Sequence, residues 1–191
     1  MIETKSELPE FYLQPGEVYF ARQPAILKTV LGSCVGVTFW IPRLGIGALC
    51  HGILPRSPRG VMGEEGYRYV DFAISDLARR FDAAGANRSE VQVKVFGGGD
   101  VLPVLAGPSR LGTVGRQNLN VALEVLQQEG FGIAAQDLGD TIGRVIQFDT
   151  GTGEVLLRRL RISNVEDDGP TPIVRQSPCR TGLFYVCDAR H

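Results

Sequence analysis

Several short segments of the chain alternate apolar and polar residues, the period-two pattern typical of half-buried strands. The segment at 30–41 is either a strand pair or one strand kinked at Gly32-Ser33-Cys34, and Pro42 ends it. Prolines and glycines separate most of the other segments. Strands are predicted over residues 17–30, 30–41, 45–54, 91–96, 133–137, 144–149 and 154–160.

Two longer segments carry apolar residues at helical spacing. The first covers residues 69–84 and is followed by Gly85, a favourable residue just after a helix. The second covers residues 114–129 and ends at Gly130. Two helices among many strands predict an α/β fold: a single layered domain with a mixed β-sheet core and two main helices packed on it.

The end of the chain differs in character from the rest. The stretch NVEDDGPTP, which begins at Asn164, is acidic and contains prolines, as linkers often do. We therefore expect a globular domain over residues 1–163, followed by a linker and C-terminal tail over residues 164–191. The tail either packs as one more strand or stays loose.

Charge and composition exclude several classes of protein. The formal net charge of −1 provides no basic surface for nucleic acid or an anionic membrane. The first residues, MIETKSELPEFYL, lack the basic and apolar regions of a signal peptide, and no apolar run reaches membrane-spanning length. We expect a cytoplasmic protein whose four cysteines, without framework spacing, are free thiols.

The stretch TVLGSCVGV places a thiol directly after a Gly-Ser break in a strand pattern. A reactive cysteine benefits from such a break, because the backbone must leave room for a substrate. Only two histidines are present, His51 and His191. Neighbouring strands could bring Cys34 and His51 to one end of a sheet, where the imidazole would take the thiol proton and the thiolate would attack a carbonyl group.

Supporting residues for such a pair are present in the same stretch. Thr29 could orient the histidine through its hydroxyl, although Thr38 could serve instead. Gly32 and Ser33 leave the backbone free to direct N–H groups at an oxyanion. Cys50 precedes His51, and because neighbours on a strand point to opposite faces, it should face the core.

Other interpretations compete with catalysis. A cysteine and a histidine in an apolar domain are often both structural, and a zinc site is disfavoured because no paired ligand spacing occurs. Residues 97–100 (GGGD) follow a strand as a phosphate loop would, but lack its Lys-Ser/Thr, so we interpret them as a turn. Arg116 and Arg144 could orient a substrate, but surface positions are the simpler interpretation for both.

The order of six motifs resembles the chemoreceptor glutamine deamidase family, CheD. The resemblance spans about residues 17–160. The motifs begin at Leu31 (LGSCVGV), Leu49 (LCHGILP), Tyr69 (YVD), Lys94 (KVFGGG), Gly115 (GRQN) and Asp137 (DLGDTIGR).

This resemblance implies a bacterial chemotaxis hydrolase that converts glutamine side chains of methyl-accepting chemoreceptors to glutamate and releases ammonia. It implies Cys34 as nucleophile, His51 as general base and Thr29 as the residue that orients the histidine, with no cofactor or metal. We further expect Arg56 and Arg59, in the polar loop after His51, to contact the receptor substrate.

Two alternatives use the same residues. Some members of the family also bind a CheC-type phosphatase, so the chain could act as a regulatory binding module. It could also be a thiol esterase for receptor glutamyl methyl esters, because amide and ester hydrolysis share the thioester intermediate.

Overall fold

The computed structural model describes residues 8–101 and 112–160, together with the backbone of residues 185–186. Within these residues it contains ten strands, two α-helices and three short 3-10 helices. The strands are β1 Glu10–Tyr12, β2 Val18–Ala21, β3 Ile26–Leu31, β4 Val35–Ile41, β5 Ile46–Gly52, β6 Gln92–Gly97, β7 Ile133–Leu138, β8 Gly143–Asp149, β9 Val155–Leu160 and β10 Tyr185–Val186. The helices are α1 Val70–Ala83 and α2 Val114–Gln128, and the 3-10 helices are Pro42–Leu44, Gly63–Arg68 and Arg88–Glu90.

The strands form two mixed five-stranded sheets. The first sheet has the order β1-β3-β8-β9-β10, and the second has the order β2-β5-β4-β6-β7. Each sheet is antiparallel except for one parallel pair, β1 with β3 in the first and β6 with β7 in the second. β3 and β4 follow each other in the chain but belong to different sheets, so the turn at Gly32–Cys34 is a corner between them.

Two hydrophobic clusters define three layers. One cluster joins the second sheet to α1 and α2, with Phe39 and Phe81 among its fully buried members. The other lies between the two sheets and includes Leu27 and Phe148 from the first sheet and Leu49 from the second. The order is therefore sheet, sheet, helices, and the second sheet is covered on both faces.

Helix boundaries follow from local sequence. α1 directs Ile74, Leu77 and Phe81 into the core, as their spacing predicts, and Gly85 takes a positive φ of 78° just beyond its end. α2 begins after Thr113, whose side chain accepts a hydrogen bond from the Arg116 N–H as an N-cap. Both helices end within one residue of the predicted limits.

The predicted class, α/β with mixed sheets and two main helices, is confirmed, and the strands divide between two sheets. In the predicted tail, the backbone of Tyr185–Val186 pairs antiparallel with β9. The other residues of 164–191 lie outside the described part, and the division at residue 163 stays a prediction. Neither described helix is long and apolar enough to cross a membrane.

Candidate active site

The corner turn between β3 and β4 carries Cys34, whose side chain is only partly buried and whose thiol is free. Backbone N–H groups of the run Gly97–Gly99 hold this turn from one side. The Gly98 N–H donates to Cys34 O at 2.8 Å, and the Gly99 N–H donates to Gly32 O at 2.9 Å. The carbonyl groups of the turn are therefore fixed by the end of the neighbouring strand, β6.

The glycines of this run are required by close contact. Gly97 has φ +101°, and a Cβ there would lie 2.2 Å from Cys34 O. Gly98 has φ +66°, and Gly99 lies next to the carbonyls of the β7–β8 turn. Gly97 ends β6 rather than opening the predicted turn, and the residues that follow it pack directly against the cysteine turn.

His51 and Thr29 meet across the space between the sheets. His51 lies on β5 of the second sheet and is 2% exposed, whereas Thr29 lies on β3 of the first sheet and is 0% exposed. The Thr29 Oγ1 and His51 Nδ1 atoms are 2.7 Å apart. The backbone of His51 is fixed as well, since its N–H donates to Glu17 O at 2.9 Å and its carbonyl accepts from the Gly16 N–H at 2.8 Å.

The hydrogen-bond network assigns the tautomer of His51. The Thr29 hydroxyl donates its single hydrogen to Leu13 O at 2.9 Å. It can then only accept from His51, so Nδ1 carries the ring proton and Nε2 keeps its lone pair. Nε2 is buried and has no hydrogen-bond partner among the described residues, which is the state that a general base needs.

Burial keeps both reactive groups neutral at rest. It lowers the pKa of His51 from the ordinary 6.5 to about 4, although the Leu13 carbonyl and Glu17 act in the opposite direction. Burial also raises the pKa of the Cys34 thiol above the ordinary 9.0, with a smaller opposing effect from its own backbone N–H. The resting pair is therefore a thiol and a neutral imidazole, and the proton must move during attack.

Strand register places Cys34 on the same side of the second sheet as His51. His51 pairs with Gly36 across β4 and β5, and Cys34 precedes Gly36 by two residues. Cys34 lies in the bend just before β4, and side chains two residues apart along a strand point the same way, so this register directs Cys34 to the His51 side of the sheet. Consistent with this, Cys34 packs against the cluster between the sheets.

Two backbone N–H groups of the turn remain available. Among the described residues, the Ser33 N–H donates no backbone hydrogen bond, and the Cys34 N–H donates to no other residue's backbone. Both neighbour the thiol in sequence. These two N–H groups are therefore the candidate donors to a developing oxyanion.

The structure decides one question that the sequence left open, the partner of His51, and confirms the predicted orientation of Cys50. The partner of His51 is Thr29, whereas Thr38 makes no hydrogen bond to either ring nitrogen. Cys50 points away from His51 into the helix-facing core, as the strand alternation predicts. Burial raises the pKa of its thiol to about 12, so Cys50 is an inert core residue.

Of the four arginines that the sequence singled out, only Arg144 departs from its predicted position. Arg56 forms a surface ion pair with Glu124 of α2 at 2.6 Å, while Arg59 is exposed and has no ion pair among the described residues. Arg144, interpreted as a surface residue, is instead 0% exposed and is held by Asp137 at 2.5 Å. The surface interpretation of Arg144 is wrong, because β8 faces the other sheet at this position; Arg116 is exposed as expected.

Asn118 is a site residue that sequence reasoning missed. It is fully buried on α2, and its Nδ2 donates to Ser33 O and to Ile53 O, each at 3.0 Å. One side chain thus binds the backbone beside Cys34 and the backbone just after His51. The available signal was a polar residue on the same helical face as Ala122 and Val125.

A surface pocket of about 410 Å³ opens behind the backbone that holds His51. Its walls include Leu13, Gly16 and Glu17, but neither Cys34 nor His51. This pocket is therefore separate from Cys34, whose side chain is partly exposed at the corner turn. The described residues contain no group of three or more metal-ligating side chains.

Comparison with known proteins gives one consistent result. A family model described as CheD chemotactic sensory transduction matches residues 53–159, a segment that begins just after His51. The chain is 46% identical over 154 residues to "Probable chemoreceptor glutamine deamidase CheD 2" of Geobacter sulfurreducens, covering 81% of this chain and 92% of that protein.

Two further relatives carry the name "Probable chemoreceptor glutamine deamidase CheD". The protein from Pseudomonas savastanoi pv. phaseolicola is 39% identical and covers 87% of this chain and 94% of its own length. The protein from Rhodospirillum rubrum is 35% identical and covers 91% of this chain and 97% of its own length.

Proposed function

The chain belongs to the CheD family of chemoreceptor glutamine deamidases, and we propose that Cys34, His51 and Thr29 hydrolyse glutamine side chains of chemoreceptors to glutamate. The observation that carries the assignment of residues is the hydrogen bond between Thr29 and His51 Nδ1, which leaves Nε2 unprotonated and without a hydrogen-bond partner among the described residues. The family supplies the reaction, and this geometry supports the roles.

The first half of the reaction transfers the acyl group to sulfur. His51 Nε2 takes the Cys34 proton as the sulfur attacks the carboxamide carbon, and the carbonyl oxygen becomes an anion that accepts hydrogen bonds from the Ser33 and Cys34 N–H groups. As the carbon–nitrogen bond breaks, the imidazolium returns its proton to the leaving nitrogen. Ammonia departs and a thioester remains on Cys34.

The second half regenerates the enzyme. Nε2 takes a proton from water as the water oxygen attacks the thioester carbon, and the carbon–sulfur bond then breaks. The glutamate side chain leaves and the thiol recovers its proton. Thr29 keeps the ring in one orientation through both steps, because its hydroxyl is itself held by Leu13 O.

The test uses a cytoplasmic chemoreceptor fragment. Ammonia release and glutamine-to-glutamate conversion should occur with the wild-type protein and not with Cys34→Ala, while Cys50→Ala keeps the activity. A glutamyl methyl ester form of the same fragment, offered in competition, measures the preference between amide and ester. Equal conversion by Cys34→Ala would exclude Cys34 as the nucleophile.

Receptor contact by Arg56 and Arg59 stays part of the proposal. Arg59 is the stronger candidate, because the charge of Arg56 is already paired with Glu124. Arg59→Ala should raise KM for the receptor fragment and leave the rate of Cys34 alkylation unchanged, with Arg79→Ala on α1 as the control. An unchanged KM for Arg59→Ala would remove it from the contact surface.

Two further parts of the proposal concern location and partner. A chemoreceptor's glutamines face the cytoplasm in this scheme, which supports a cytoplasmic location. The family resemblance supports a CheC-type phosphatase as a second partner. Adding such a phosphatase to the deamidation assay should change the rate if the two proteins bind.

A further inference from the structure

Asn118 connects the backbone segments that carry the two reactive residues. Its Nδ2 donates to Ser33 O, the carbonyl before Cys34, and to Ile53 O, two residues after His51. The β4–β5 ladder pairs Val35 with Gly52 at this end and goes no further. The asparagine amide therefore takes the place of the next inter-strand hydrogen bonds, at the point where the two strands would otherwise separate.

The chemistry of this contact selects a primary amide. The carbonyl oxygens of Ser33 and Ile53 both accept from the Asn118 Nδ2 position, and neither oxygen can donate a hydrogen bond to the other. A bridging group therefore needs two N–H donors on one atom, which asparagine provides at this distance. Serine offers one donor, and aspartate and leucine offer none. The Asn118 Oδ1 atom is buried and unpartnered among the described residues, so the contact uses only the donors of the side chain.

Anchoring Ser33 O also fixes the Cys34 N–H. The Ser33–Cys34 peptide is planar and trans, so its C=O and N–H point in opposite directions. Holding the carbonyl toward α2 turns the Cys34 N–H to the other side. Gly99 and Gly98 hold the carbonyls of Gly32 and Cys34 in the same way, so all three peptide planes of the corner turn are fixed.

We propose that Asn118 is a positioning residue for oxyanion stabilisation: by binding Ser33 O it fixes the Cys34 N–H in the direction needed to stabilise the tetrahedral intermediate. The inference rests on the proposed deamidase function. Without Asn118 the Ser33–Cys34 peptide can rotate, and the donor is lost although the thiol and histidine remain.

The first test separates oxyanion stabilisation from thiol reactivity. Asn118→Leu has a similar volume and suits a buried helix position, and Asn120→Leu, on an exposed position of the same helix, is the matched control. Asn118→Leu should lower kcat for the receptor fragment by about 10²–10³, the cost of one oxyanion donor, with little change in KM. Alkylation of Cys34 by iodoacetamide forms no oxyanion and should change less than about threefold.

The second test needs no receptor. A small aldehyde analogue of glutamine adds to Cys34: the sulfur–carbon bond forms, the carbonyl π-bond breaks, and the thiol proton passes to His51 Nε2. With a ¹³C-labelled aldehyde carbon, NMR follows the ionisation of the adduct oxygen. In Asn118→Leu the oxygen should ionise at higher pH than in the wild type, and in Asn120→Leu at the wild-type pH.

The outcomes distinguish this inference from the function on which it rests. A kcat for Asn118→Leu within threefold of wild type, or alkylation that falls together with kcat, would overturn it. If the wild type converts no receptor glutamine, the proposed function fails, and the aldehyde adduct alone decides the role of Asn118. If circular dichroism shows that Asn118→Leu does not fold, Asn118→Ser, which retains one donor, replaces it. The same two results, a kcat within threefold of wild type or alkylation that falls together with kcat, would then overturn the inference.

Discussion

Replacing Thr29 by valine tests how His51 is held. Valine has nearly the same shape but lacks the hydroxyl that accepts from Nδ1 at 2.7 Å and donates to Leu13 O at 2.9 Å. At a position that is 0% exposed, two polar partners then lose their hydrogen bond. Each such loss costs about 1–3 kcal/mol, so the free energy of unfolding should fall by about 2–6 kcal/mol.

The effect on catalysis follows from the tautomer. Loss of one neutral hydrogen bond, about 1 kcal/mol, reduces the preference for the Nδ1–H form by roughly fivefold. The ring also becomes free to rotate. A partner that forces the wrong tautomer costs about 10⁴ in related triads, but valine forces neither form, so we expect kcat to fall by about 10- to 100-fold.

The assay combines ammonia release with ¹⁵N NMR of the imidazole. Thr29→Ser keeps the hydroxyl and should stay within about threefold of wild type. Thr38→Val is the matched control, since Thr38 is equally buried and makes no hydrogen bond to either ring nitrogen of His51. Unchanged kcat in Thr29→Val, or a wild-type spectrum with the proton on Nε2, would show that Thr29 does not set the tautomer of His51.

Three further predictions concern the turn and the two titrating groups. Gly97→Ala should reduce Cys34 alkylation and deamidation together, because the new methyl group displaces Cys34 O. Gly85→Ala is the control, since Gly85 also has a positive φ but lies in open space. It should lower the free energy of unfolding by only about 1–2 kcal/mol and leave the activity unchanged. The alkylation rate of Cys34 should rise continuously from pH 7 to beyond its ordinary pKa of 9.0; a plateau near neutral pH would indicate a preformed thiolate. The pKa of His51 is about 4 in the folded protein and ordinarily 6.5, so between these pH values only the unfolded chain binds this proton. The free energy of unfolding should therefore fall as the pH drops from about 6.5 to about 4. If urea unfolding gave a His51→Gln variant the same pH dependence of the free energy of unfolding as the wild type, the prediction would be wrong.

Local features of the fold could be predicted from the sequence. Helix α1 was predicted over residues 69–84 and spans Val70–Ala83, because its apolar spacing and the glycine that follows are encoded within one segment. The division of strands into two sheets was not predictable in this way. Period-two alternation identifies the faces of a strand but not the strand with which it pairs.

The site shows the same limit. Gly32-Ser33-Cys34 and the scarcity of histidine indicated the reactive pair, since one is a local motif and the other a count of residues, and neither needs knowledge of the fold. Asn118 lies 85 residues from Ser33 in the chain, so no local pattern could connect them. Arg144 was misplaced because a charged residue on an alternating strand is usually exposed, whereas here Asp137 on the other sheet allows it to be buried.

The role of Cys34 as nucleophile is tested most directly by the mass of the acylated enzyme. The wild-type protein is mixed with a glutamine-containing receptor peptide, quenched in acid during a single turnover and mapped by mass spectrometry. A nucleophilic Cys34 predicts a peptide containing Cys34 with the added mass of the receptor peptide minus ammonia, and no such species from Cys34→Ser. Two results would contradict the role of Cys34 as nucleophile. One is that Cys34→Ser converts glutamine to glutamate without forming the adduct, and the other is that the wild type carries the adduct on another residue.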